Sequence, residues 1–124
     1  MKSYNDLEIY QKAFSLAIQI HQMSLKLPRY ELYEQGSQIR RSSKRIKDTI
    51  VEGYGRRRYK DDFIKFLVYA QGSCDETISH LRMISEIHFP ESPLTEFIEQ
   101  YDSLGRQINK FIQYVEKNWK RKDY

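Results

Sequence analysis

A chain of 124 residues, 40% hydrophobic and 31% charged, suits one soluble globular domain with a modest core. Its longest apolar run, Phe66 to Ala70, is too short to cross a membrane, and the opening MKSYNDLEIYQK lacks the apolar stretch of a signal peptide; the expected setting is the cytoplasm, with no membrane partner. A single cysteine, Cys74, excludes an internal disulfide and a cysteine metal cluster.

The three prolines, Pro28, Pro90 and Pro93, all fall between long periodic segments, so the chain reads as long helices with short connections. The first helix is expected from about Asp6, with Asn5 or Asp6 as N-cap, to about Leu27, where Pro28 stops it. It carries two apolar stripes. One runs Leu7, Tyr10, Phe14, Ala17/Ile18, His21, Leu25; the other runs Ile9, Ala13, Leu16, Ile20, Met23, Leu27. Two residues turn a helix by about 200°, so the stripes lie on roughly opposite sides. One stripe suffices for a bundle core, and the second calls for a further partner, for which subunit contact is the natural source.

The second helix is expected over Leu32–Tyr54, with a thin inner stripe of Ile39, Ser43, Ile46, Ile50 and Gly53/Tyr54 that lets a neighbour approach closely, and with Gly53 and Gly55 as its terminus. The third starts near Lys60, places Asp61 and Asp62 where negative charge suits the macrodipole, and runs to about His88. Its core stripe is Phe63, Leu67, Ala70, Cys74, Ile78, Leu81 and Ile84. The fourth follows Ser92 as N-cap and Pro93 at the first helical position, and keeps a 3.6-residue period from Leu94 to Trp119. A basic tail, expected to fray, begins at about residue 117. The fold class is therefore all-α, an antiparallel up-down-up-down four-helix bundle forming one domain over 1–124.

Catalytic and metal-binding patterns do not emerge. No Glu is followed three residues later by His, the signature of di-iron bundles. His80 and His88 lie on the third helix with Glu76 one turn before His80, a weak basis for a metal site, and His21 sits on an apolar face as a core or interface histidine. Gly53-Tyr54-Gly55 is too short for a phosphate loop, and Cys74, within a hydrophobic pattern, reads as a buried structural thiol with no activating base. No enzymatic activity, cofactor or metal is expected.

The charge is distributed unevenly. Between Ser37 and Lys60 nine residues are Lys or Arg and two, Asp48 and Glu52, are acidic, a local balance of +7 in a chain whose total is +4. Arg40, Lys44 and Lys47 recur at helical spacing, Arg41 and Arg45 form an adjacent row, and Arg56, Arg57, Arg58 and Lys60 extend the patch at the corner between the second and third helices. Tyr54 and Tyr59 flank the arginine triplet and offer stacking faces. Pairs such as Lys44–Asp48 and Arg58–Asp62 are expected to neutralise part of it, but the carboxylates are too few for nine cations. The pattern fits a phosphate-binding surface for RNA or DNA, and also a dock for an acidic protein such as a polymerase or ribosome-associated factor.

The opening SYNDLEIYQKA, the central SQIRR with EGYGRR, Ser37 to Arg57, and FIKFLVYAQGSCDET, Phe63 to Thr77, together resemble the 23S rRNA intervening-sequence protein family, over roughly residues 3 to 88, with the fourth helix similar only in character. The resemblance implies a short antiparallel four-helix bundle that assembles as a homopentamer, with no established catalysis. The family is similar to the accessory proteins of diversity-generating retroelements, whose basic surface binds nucleic acid and a reverse transcriptase, and the matching positions here are Arg40, Arg41, Arg56 and Arg57. The chain departs from the family pattern at Lys47, where a mid-helix proline is common, and at Lys44 and Arg45, where uncharged residues are common. Losing the proline removes a kink, and the added charge enlarges the basic face.

Overall fold

Spacing of apolar residues by three and four produces four α-helices: α1 (Glu8–Ser24), α2 (Gln35–Gly55), α3 (Lys60–His88) and α4 (Thr95–Asn118). This computed structural model describes residues 3–120, and the part of the expected basic tail over 121–124 lies outside the described residues. Two 3-10 turns, Tyr4–Asp6 and Arg29–Tyr33, precede α1 and α2.

The helix limits differ from expectation where side chains from elsewhere in the chain intervene. Ser3 caps the Tyr4–Asp6 turn by a reciprocal capping box with Asp6, so α1 starts after Leu7 rather than at Asp6. α1 ends at Ser24 and α2 starts at Gln35, because Pro28 opens a 3-10 turn in which Glu31 is buried. At α4, Leu94 rather than Ser92 holds the N-cap position, and its N–H donates to Ser85 Oγ of α3. Gly53 does not end α2. A Cβ there would lie 3.1 Å from Phe66 Cβ and 3.3 Å from the Phe63 carbonyl, so the missing side chain lets α3 approach.

Cross-helix contacts fix the direction of each helix. Ser42, early in α2, meets Thr77, late in α3, at 2.9 Å, while Gly53 meets Phe63 at the other end. Cys74 of α3 donates to the carbonyl of Tyr101, early in α4, while Phe63 packs edge-on against Phe111 and Trp119, late in α4. Arg40, early in α2, donates to Ser24 at the end of α1. The start of α1 (Leu7, Ile9) adjoins the later part of α4 (Phe111, Tyr114). Each neighbour therefore runs opposite to the last, the up-down-up-down order read from the short connections.

One core cluster draws on all four helices, including Ile9, Leu16 and Ile20 of α1, Ile39, Ile46 and Ile50 of α2, Phe63, Leu67 and Leu81 of α3, and Tyr101, Leu104 and Ile108 of α4. The serines of α2 belong to this packing. Ser42 and Ser43 are buried and bond to backbone carbonyls one turn back, which removes their hydroxyls from solvent. The two stripes of α1 separate only in part, because Leu7 and Ala17, on the same stripe as Phe14, are buried as well. Ile9, Ala13, Leu16 and Ile20 are buried, whereas Phe14, Ile18 and Leu25 remain 44%, 47% and 57% exposed.

Candidate functional site

The cations of α2 do not form one sheet of charge; they straddle the helix. Lys44 and Lys47 border a groove against α1 with Phe14, Ala17, Ile18, His21 and Gln22. Arg41 and Arg45 border a second groove against α3 with Ser42, Val68, Tyr69, Gly72, Ser73 and Glu76. This split follows from helical geometry: with Ile39, Ile46 and Ile50 turned inward, residues 44 and 47 lean to one flank and 41 and 45 to the other.

Arg41, Lys44 and Arg45 are exposed, and among the described residues none of them pairs with a carboxylate. The neutralising partners differ from those expected. Asp48 is taken by Lys47 at 2.6 Å rather than by Lys44, and Asp62 is reached by Arg56 at 3.8 Å. Surface pairs of this kind contribute at most about 1 kcal/mol and leave the cations available. His21 responds to this neighbourhood: desolvation, then the Lys44 and Arg40 charges, hold its imidazole below the usual histidine range.

Arg40 stands apart from the other cations. Its guanidinium is half-buried and donates to Ser24 Oγ at 2.9 Å and to the Leu32 carbonyl at 2.6 Å, tying the end of α1 and the 3-10 turn to α2. The corner between α2 and α3 is also partly engaged. Arg57 donates to the Tyr54 carbonyl and lies 4.0 Å from the Tyr54 ring, and Arg56 lies 4.8 Å from the Phe66 ring. Lys60 Nζ donates to the Glu116 carbonyl, one of the orphan acceptors at the end of α4. Trp119 Nε1 donates to the Arg57 carbonyl and fastens α4 to the same corner. Arg58 and Tyr59 are exposed there.

Tyr69, Val68, Gly72 and Lys65 of α3 were not marked by the charge pattern. Their signal is present in the sequence as Phe66 and Tyr69 three apart and Lys65 and Tyr69 four apart, off the core stripe of Phe63, Leu67, Ala70 and Cys74. Phe66 meets Tyr69 edge-on, with ring centroids 5.4 Å apart.

Elsewhere the reactive groups are subdued. Burial, then Asp75 and Asp102, push the Cys74 thiol up to about 12, so it stays protonated at neutral pH. Burial likewise pushes the Tyr101 hydroxyl above its ordinary range. His80 sits 3.3 Å from Glu76 on an exposed face, and among the described residues no group of three or more His, Cys, Asp or Glu is placed to hold a metal ion. No helix of the described residues is long and apolar enough to cross a membrane.

Fold and surface together define an all-α four-helix-bundle protein whose second helix carries unpaired cations along two flanking grooves. Residues 5–110 match the model of the 23S rRNA-intervening sequence protein family, and the chain belongs to that family. The match reaches well into α4, beyond the three segments that carry the resemblance in sequence. No curated protein matches the chain.

Proposed function

We propose that this chain is a non-enzymatic, cytoplasmic, homo-oligomeric protein that binds RNA or DNA through the cations of α2 and the 56–60 corner. The observation that supports the reading is the exposure of Arg41, Lys44 and Arg45 without carboxylate partners. Unpaired cations on one helix hold a counterion-rich phosphate backbone well, because each contact releases condensed ions. Lys47, Arg56, Arg57, Arg58 and Lys60 add charge around this centre, while Arg40 supports it from within.

The open stripe of α1 supports self-association. Phe14, Ile18 and Leu25 are each about half exposed, so a partner that covers them fully adds about 1 kcal/mol per side chain. A ring of five copies, as the family resemblance implies, repeats the α2 cations and strengthens weak contacts by multivalency.

The test is binding of labelled RNA and DNA at rising salt, with light scattering to count subunits. The expected log–log slope is steep and falls by about 0.7 to 0.9 for each phosphate-contacting cation removed. A flat response to salt, or unchanged binding after Arg41, Lys44 and Arg45 become Glu, overturns the reading.

A second reading is favoured by the groove between α1 and α2, where Phe14 and Ile18 lie beside Lys44 and Lys47. An apolar trough rimmed by cations also suits an acidic, amphipathic protein segment. A partner that stays bound after nuclease treatment supports this alternative.

A further inference from the structure

Resting on the nucleic-acid reading, we propose that the groove between α2 and α3 takes a single strand, stacking an unpaired base on Tyr69 while Arg41 and Arg45 hold the flanking phosphates.

Four observations converge on this groove. First, Arg41 and Arg45 stand one turn apart on its α2 wall, exposed and without carboxylate partners among the described residues. That sets their Cα atoms about 6 Å apart along the helix axis, a spacing that suits successive backbone phosphates. Second, the opposite wall presents Tyr69, a ring left 41% exposed, whereas Phe63 of the same helix is sealed in the core. Third, Gly72 lies one turn beyond Tyr69, and a Cβ there would meet nothing within 4 Å, so the wall has a gap beside the ring. Fourth, Tyr69 ends an alternation of cations and rings: Arg56 lies over Phe66, Phe66 meets Tyr69 edge-on, and Lys65 Nζ lies 6.0 Å from the Tyr69 centroid. That alternation joins the groove to the 56–60 corner.

This chemistry selects a single strand over a duplex. In a duplex the base faces are buried in the stack and cannot lie on an aromatic ring. An unpaired base offers its π-face to an aromatic ring whatever its identity. Glu76, at the edge of the same groove and paired with His80 at 3.3 Å, repels phosphate. It therefore marks where the backbone leaves the groove, and its carboxylate is an acceptor for exocyclic base amines.

The experiment compares fluorescence anisotropy of a labelled single strand of about twelve nucleotides with that of its duplex, at matched salt. The proteins are the unaltered chain and the variants Tyr69→Ala, Tyr69→Phe, Gly72→Leu, and the double variant Arg41→Gln with Arg45→Gln. Melting and light scattering on each variant check that fold and subunit number hold. Tyr69→Ala is expected to weaken single-strand binding about tenfold with an unchanged salt slope and unchanged duplex binding. Tyr69→Phe keeps the affinity, and Gly72→Leu loses it by filling the gap. The double Arg variant lowers the slope for both nucleic acids. If Tyr69→Ala leaves single-strand affinity within about twofold, weakens duplex and single strand alike, or changes the mass in solution, the groove assignment is overturned. If in addition the double Arg variant still lowers the slope, the broader nucleic-acid reading survives that failure. If the unaltered chain binds neither nucleic acid, both readings are overturned.

Discussion

His88, in the last turn of α3, holds Glu31 of the turn between α1 and α2, with Nε2 2.5 Å from Oε2 and both side chains almost sealed from water. The ring of Tyr30 lies 6.2 Å from that of His88. A buried pair of this type adds little beyond an apolar pair of the same shape, but removing one partner strands the other. Glu31→Ala and His88→Ala are each expected to cost about 3 kcal/mol. The double variant Glu31→Leu with His88→Leu should recover most of that loss. Chemical denaturation of the three variants measures it, and a double variant as weak as the sum of the singles counts against the pairing.

Two glycines should respond in opposite directions to the same change. A Cβ at Gly36 would lie 2.6 Å from the Glu31 carbonyl oxygen and 3.0 Å from Arg40 Nη1, so Gly36→Ala displaces both the turn and the arginine. The expected loss is about 1–3 kcal/mol, larger than the gain in helix propensity. Gly72 has open space at the same position, so Gly72→Ala should stabilise the fold by about 0.5–1 kcal/mol. Thermal melts of the pair test this, and a shift of the same sign in both contradicts it.

Neighbouring arginines should also separate stability from binding. Arg40→Ala removes the bonds to Ser24 and the Leu32 carbonyl and should cost about 1.5–3 kcal/mol of stability. Arg41→Ala, on the exposed flank, should change stability by no more than about 0.5 kcal/mol and act on the salt slope of nucleic-acid binding instead. Denaturation and binding measured on the same two proteins give the answer, and reversed roles would show that the inward placement of Arg40 is wrong.

His21 reports on the charge around it. With its imidazole held below the usual range, the unfolded chain takes up the proton more readily than the folded one. Its contribution to stability is therefore complete above about pH 6.5 and falls away as the pH drops below that value. An NMR titration should place the midpoint below 6.5, and added salt should raise it by screening Lys44 and Arg40. Phosphates seated at Lys44 should raise it as well. A midpoint at or above the ordinary value in dilute buffer contradicts the arrangement.

Much of the fold is legible in the residue order, and the differences have identifiable physical sources. α3 occupies Lys60–His88 as read, because its limits are set locally: Asp61 and Asp62 fill the first turn and Pro90 follows the last. The junction of α1 and α2 differs from the sequence expectation because Glu31 is drawn inward by His88, 57 positions away, and no local pattern shows such a partner. The same holds for the start of α4, set by Ser85. On the site, the rows of Arg41/Arg45 and Lys44/Lys47 follow from periodicity alone. What periodicity cannot show is that Arg40 turns to Ser24, that Lys60 reaches the end of α4, or that Tyr69 completes a groove with α2.

The fastening of Trp119 to Arg57, and of Lys60 to Glu116, has a practical consequence for handling the protein. In an up-down-up-down bundle the start of α1 and the end of α4 emerge beside the arginine-rich corner, so an affinity tag or surface tether at either terminus crowds the cations whose behaviour is to be measured. The Phe89–Leu94 link, at the far end beyond His88, is the better anchoring point for immobilisation or a dye, and leaves the charged end unobstructed.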